Sequence, residues 1–185
     1  PCPWWLYRPC FRLRQCLPEA RLVVLLRDPV ERAFSGLFHS IRLGLEPEGV
    51  EQALALESSR LKGAEACLRA VDGVHRSHQV HSYVARSRYE QQLVRFEPER
   101  QAGRLLVLRS EDWFSRPAAI WPQLLAFLGL AEQPLPLAAG AFNQGAGEAS
   151  QLPSGIRERL RAELEPTYHT MQERYGLVWE PQSLI

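Results

Sequence analysis

The 185-residue sequence predicts an α/β fold: a parallel central sheet with helices on both faces. Three observations predict it. Residues 21–26 and 104–109 each contain a short, continuous run of Leu and Val beside arginines, the pattern of strands buried on both faces of a parallel sheet. Helical stretches separate the two runs, which implies α/β layering. The first run stops at Arg27, and Asp28-Pro29 opens a helix directly behind it.

In chain order, residues 1–18 are rich in Pro, Cys and aromatics, with a short helix expected near 11–17. After the first strand, Asp28 can cap a helix, Pro29 fits its first position, and Glu31 completes a capping-box pattern. That helix is expected to reach about Leu43, with Val30, Ala33, Phe34, Leu37, Phe38 and Ile41 on one arc of about 140°. Arg32, Ser35, His39 and Arg42 take the polar side. Gly44 and Pro47 end it. Residues 50–70 have helical composition, Asp72-Gly73 marks a turn, and the stretch 44–82 is expected to be an insertion over the core of a single domain. A helix over 79–96, closed by Pro98, leads to the second strand. A helix over 117–128 follows, with Gly129 as its cap. Residues 143–150 have loop composition, and a last helix is expected over 153–175, stopping at Gly176.

Composition limits the function classes. With 45% hydrophobic residues, five Trp and seven Phe, the chain can build a substantial core. Its 22 basic and 21 acidic residues leave a formal charge of +1, so a broad footprint for nucleic acid is not indicated and any anion site must be local. Lys62 is the single lysine; the other basic residues are arginines, whose fork geometry suits phosphate. Cys2, Cys10, Cys16 and Cys67 form no CxxC pair, which argues against a structural zinc site. His75, His78 and His81 drift around a helix with no carboxylate between them and read as a solvated face. No apolar run approaches the ~20 residues that cross a bilayer, so no membrane segment is expected. The chain begins Pro-Cys-Pro-Trp-Trp without Met and is expected to lack the N-terminal part of a longer protein.

The chemistry lies in residues 26–39. Arg27 stands at the carboxyl end of a buried strand, where open α/β sheets bind ligands, and the helix behind it presents free N–H groups to an anion. Ser35 lies two turns further, about 10 Å from the cap, a gap that an Arg stem covers, so the two side chains can clamp one phosphate. His39 is one turn beyond Ser35 on the same polar face.

The joint pattern is a strand, Arg27-Asp28-Pro29, Arg32-Ala33, Ser35 and His39, then Tyr89, then a second strand leaving through Ser110-Glu111-Asp112-Trp113. It resembles the sulfotransferases that use 3′-phosphoadenosine 5′-phosphosulfate (PAPS), particularly the heparan sulfate N- and O-sulfotransferases and their bacterial relatives. The resemblance covers roughly residues 17–179. It implies a P-loop-NTPase-like sulfotransferase fold, with Arg27 and Ser35 binding the 3′-phosphate of PAPS or of its product PAP. It also implies a place for His39 near the transferring group, as in the N-sulfotransferase branch. The acceptor would be a hydroxyl or amine, a carbohydrate among the candidates, and no metal is required. The family's upstream Gly-Thr-rich loop, with the Lys that cradles the 5′-phosphosulfate, is not in these residues: Lys62 stands in a helical, Glu-rich context. Residues 143–150 also lack the basic nucleotide contact that relatives carry there.

Three functional readings follow. The first is sulfuryl transfer, with this chain supplying the 3′-phosphate part of the site. The second is a non-catalytic nucleotide- or sulfated-glycan-binding domain, and the third a structural domain in which Arg27 pairs with an acid such as Glu31. The expected location is cytoplasmic, or the Golgi lumen if the full protein carries an upstream anchor.

Overall fold

Leu22–Leu26 (β1) and Leu105–Arg109 (β2) pair in parallel, with Leu22 opposite Leu105 and Leu26 opposite Arg109. They are the strands of this computed structural model, which describes residues 13–69, 73–136 and 154–180. Val24, Leu26, Leu105 and Val107 pack against Tyr89, Leu93, Met171, Leu177 and Trp179. The other side of β1 differs from the expected double burial: Val23 is 38% and Leu25 49% exposed. Burial along β1 follows the two-residue period of a half-covered strand.

Helix α1, Pro29–Arg42, starts and ends where its caps predict. The Asp28 carboxylate accepts the N–H groups of Val30 and Glu31 at 2.9 and 3.0 Å. The reciprocal half of the capping box is replaced. Glu111, from the exit of β2, accepts the Asp28 N–H at 2.7 Å, while Glu31 turns to Arg157. The apolar face of α1 meets Val84, Ile156, Leu160 and Leu164 through Val30, Ala33 and Phe34, and Ala53 and Tyr83 through Leu37.

Residues 44–82 hold three helices, α2 (Val50–Arg60), α3 (Ala64–Arg69) and α4 (Arg76–Val80). Gly63, at φ +80°, makes the reversal between the first two, a conformation open to Gly. The expected turn at Asp72 lies outside the described residues. The histidines are not a solvated face: His75 Nδ1 accepts the His78 N–H at 3.1 Å, and His81 Nε2 lies 3.3 Å from the Leu45 carbonyl. Burial, aided by Arg86 and His75, pushes the His78 pKa down to about 4.

The single helix expected over 79–96 is instead broken. A 3-10 turn at Ala85–Ser87, α5 (Tyr89–Leu93), a second 3-10 turn at Val94–Phe96 and α6 (Glu97–Gln101) replace it, and Pro98 opens α6 rather than closing a helix. Distant side chains take the backbone groups that a helix would use internally. Glu57 accepts the N–H groups of Val84 and Ala85 at 2.9 and 2.8 Å, and Arg32 Nη1 donates to the carbonyls of Ser82 and Tyr83 at 3.3 and 2.9 Å.

After β2 come α7 (Ser110–Ser115) and α8 (Pro117–Leu128), the latter ended by Gly129 at φ +71° as expected. The last expected helix is two, α9 (Ser154–Glu163) and α10 (Glu165–Tyr175), because Pro166 cannot donate an N–H into a continuous helix and instead occupies the first turn of α10. The loop 143–150 lies outside the described residues. Among those residues, no helix is long and apolar enough to cross a membrane.

Candidate functional site

Arg27 leaves β1 at the point where α1 begins, and its backbone is pinned from two sides. Its carbonyl accepts the Tyr89 hydroxyl at 3.0 Å. The next residue, Asp28, is fixed by Glu111, whose other oxygen accepts Trp179 Nε1–H at 3.1 Å. The Asp28 carboxylate also accepts the Tyr168 hydroxyl at 2.9 Å and lies 3.8 Å from Arg161. Burial raises the Asp28 pKa, against the pull of Tyr168 and Arg161. β1, α5, α7, α9, α10 and the 177–180 segment thus converge on one strand–helix turn.

The side chain of Arg27 is half-exposed, and its charged contact is Glu31 at 3.9 Å, one turn into α1. An ion pair that long and that wet contributes little, so the guanidinium remains available to a ligand. Glu31 itself is held by Arg157 of α9, whose guanidinium also lies 5.2 Å from the Phe34 ring centre.

Arg27, Ser35 and His39 line one cavity of about 300 Å³ between α1 and residues 79–86. Ser35 and His39 are exposed along its rim. Arg32 and Arg86 line the same cavity, and with Arg27 they also line an adjoining one of about 290 Å³ that reaches Tyr89, Gln92 and Ser110. Three guanidinium groups, Arg27, Arg32 and Arg86, therefore border both cavities at the carboxyl end of β1.

Arg32 and Arg86 were not singled out for binding by the sequence pattern. Burial lowers the pKa of both, and for Arg32 the neighbouring Arg86 charge adds to it. Both remain protonated at neutral pH. Arg32 was visible as a polar-face residue of the motif. Arg86 had no local signal, because its place in the wall depends on the broken 82–88 segment, where it donates to the Gln79 carbonyl at 3.1 Å.

Like-charged, partly buried guanidiniums favour an anion, which offsets their desolvation and mutual repulsion. The recess thus has the chemistry of a phosphate or sulfate site with a hydroxyl and an imidazole at its edge. Lys62 is exposed and does not line this recess. Among the described residues, no group of His, Cys, Asp and Glu is arranged to hold a metal ion.

No family model matches the chain, and no curated protein matches it. Among solved structures, the fold is similar to that of a sulfotransferase from Alicyclobacillus acidocaldarius, with a TM-score of 0.71 at 22% identity. The match covers 95% of this chain and 63% of that one, so the chain spans less than two thirds of that protein's length. At this identity the likeness is one of fold, and the chain has a helix-rich, sulfotransferase-like α/β fold with a parallel sheet.

Proposed function

We propose that the recess binds the 3′-phosphate of PAPS and of PAP, and that the chain is the nucleotide-gripping part of a sulfotransferase. One observation carries this reading: Arg27, Ser35 and His39, named from the sequence pattern, border one cavity with Arg32 and Arg86 in a chain of sulfotransferase-like fold. Arg27 supplies a fork-shaped donor, Ser35 a hydroxyl from the helix side, and Arg32 and Arg86 the surrounding positive potential. In the transfer, an acceptor oxygen or nitrogen attacks sulfur. The bond to the 5′-phosphate oxygen breaks with its electrons passing to PAP, and the acceptor loses a proton. His39, exposed at the edge of the cavity, can take that proton or hydrogen-bond the leaving group. The acceptor class, hydroxyl or amine, is set by groups outside this recess.

The test is calorimetric titration with adenosine 3′,5′-bisphosphate and, in parallel, adenosine 5′-monophosphate. The reading expects clear preference for the bisphosphate, lost in Arg27→Ala. Equal binding of both nucleotides, or an Arg27→Ala variant within twofold of the parent, removes the 3′-phosphate from this site.

The second reading is non-catalytic binding at the same recess. The two readings differ in turnover and share the same 3′-phosphate contact.

A further inference from the structure

The described residues also border a separate recess. It holds about 610 Å³ between α2, residues 84–88 and α9, and shares no lining residue with the Arg27 recess. The 82–88 segment is the partition: Ser82, Tyr83 and Arg86 face the anion recess, whereas Val84, Ala85 and Arg88 face this one.

Part of its lining is aliphatic, from Leu54, Ala55, Leu61, Val84 and Leu160, and Gln52 and Ser58 add neutral polar groups. Most of its charges are already committed. Arg88 pairs with Glu163 at 2.7 Å, and the buried Glu57 accepts the two backbone N–H groups of the partition. Two charges are not. Glu51, in the first turn of α2, and Arg159, in the middle of α9, both line the recess and are exposed, and neither has an ion pair or hydrogen bond among the described residues. They are of opposite sign, come from different helices and do not pair with each other.

We infer that this cleft binds a small zwitterion with an apolar body, of short-peptide size, its carboxylate on Arg159 and its ammonium on Glu51. The volume is in the range of small-molecule sites, and the aliphatic lining residues offer such a molecule an apolar surface. An anion alone would leave Glu51 unpaired and repelling, and a cation alone would do the same at Arg159. A molecule carrying both charges satisfies both, and the aliphatic part of the lining favours an apolar middle. Arg88 and Glu163 neutralise each other at the rim and leave this selection unchanged.

The probe is the dipeptide Leu-Leu, with its N-acetylated and its C-amidated forms, titrated by calorimetry against the whole chain. Saturable binding of Leu-Leu is expected, with each capped form weaker by about 5- to 10-fold, the discounted effect of a charge-assisted bond left partly in water. Arg159→Gln should bind the free and amidated peptides equally yet still reject the acetylated one. Glu51→Gln should show the mirror pattern. Both side chains are exposed, so neither change threatens folding. Arg27→Ala should leave peptide binding as in the parent, which separates this site from nucleotide binding. Absence of saturable Leu-Leu binding up to about 10 mM overturns the inference. So does any variant whose loss is not matched to its own end of the peptide.

Discussion

The hydroxyl of Tyr89 donates to the carbonyl oxygen of Arg27 across 62 residues of sequence, at 3.0 Å. Tyr89 is only 5% exposed, and burial raises its pKa, so at physiological pH the phenol stays a neutral donor. Tyr89→Phe keeps the ring packed on Leu26 and Leu93 but leaves the carbonyl unsatisfied, at an expected cost of about 1–3 kcal/mol. Urea denaturation measures that cost. If the bond also positions Arg27, affinity for adenosine 3′,5′-bisphosphate should fall at concentrations where the variant is fully folded. Unchanged affinity would confine Tyr89 to stability.

Ser35→Ala is expected to fold as well as the parent, because Ser35 is exposed on α1 and Ala is a better helix former. Its loss of bisphosphate affinity should be about 0.5–1.5 kcal/mol, the net value of a neutral hydrogen bond, and smaller than that of Arg27→Ala. Calorimetry on the two variants gives the ranking. A larger loss from Ser35 would mean that the hydroxyl, not the guanidinium, carries the phosphate contact.

The contrast between these residues and the partition shows what the sequence could disclose. Arg27, the cap at Asp28 and the ends of α1 depend on neighbours within four residues, so local chemistry predicts them. Residues 82–85 fall inside the helix expected over 79–96. What opens the chain there is Glu57 and Arg32, whose side chains, 27 to 51 positions from their partners, replace the helical bonds. Neither the burial of two such charges nor the half-exposure of β1 leaves a periodic signal. Arg86 became a site residue only through that opened segment.

Glu46 shows the same long reach in stability. Its side chain is fully buried, pairs with Arg60 at 2.5 Å and accepts the Tyr83 hydroxyl at 2.8 Å. Burial alone would raise its pKa, but Arg60, Tyr83 and the Glu48 N–H together outweigh that and bring it below 4.5. A lowered carboxylate adds stability that is present above the unfolded pKa and lost as pH falls through the folded one. Glu46→Leu leaves Arg60 and Tyr83 without their acceptor and should cost about 3–5 kcal/mol at pH 7. The deficit should shrink in denaturation at acidic pH, below the folded pKa. A pH-independent deficit would mean that the loss is one of packing.

His78 titrates in the opposite chemical sense with the same sign for stability. Its pKa drops from 6.5 to about 4, chiefly through burial, so between those values the unfolded chain binds more protons than the folded one. The neutral ring's contribution is fully present above pH 6.5 and is lost as pH falls toward 4. After discounting for partial exposure, the loss should be about 1–2 kcal/mol. His78→Gln removes this component, so the difference between parent and variant stabilities should change over that window. A flat difference would leave His78 without a role in acid sensitivity.

Catalysis is expected to need more than these 185 residues. Transfer requires donors fixed around the sulfuryl group and its bridging oxygen, where charge develops in the transition state. Arg27, Ser35, Arg32 and Arg86 border a recess proposed for a phosphate remote from the reacting sulfur, so their contribution is binding energy and orientation. Their loss should therefore raise KM more than it lowers kcat in any active form. His39 could move a proton but cannot neutralise a leaving phosphate by itself. With labelled PAPS and a mixed panel of hydroxyl and amine acceptors, the 185-residue chain should bind nucleotide without turnover. The same residues joined to a segment carrying a Gly-Thr loop and its lysine should turn over, with His39→Ala slowing kcat. Robust transfer by the 185 residues alone would place the sulfuryl-stabilising donors within the Arg27 recess, and would reassign Arg32 and Arg86 from the 3′-phosphate to the reacting group.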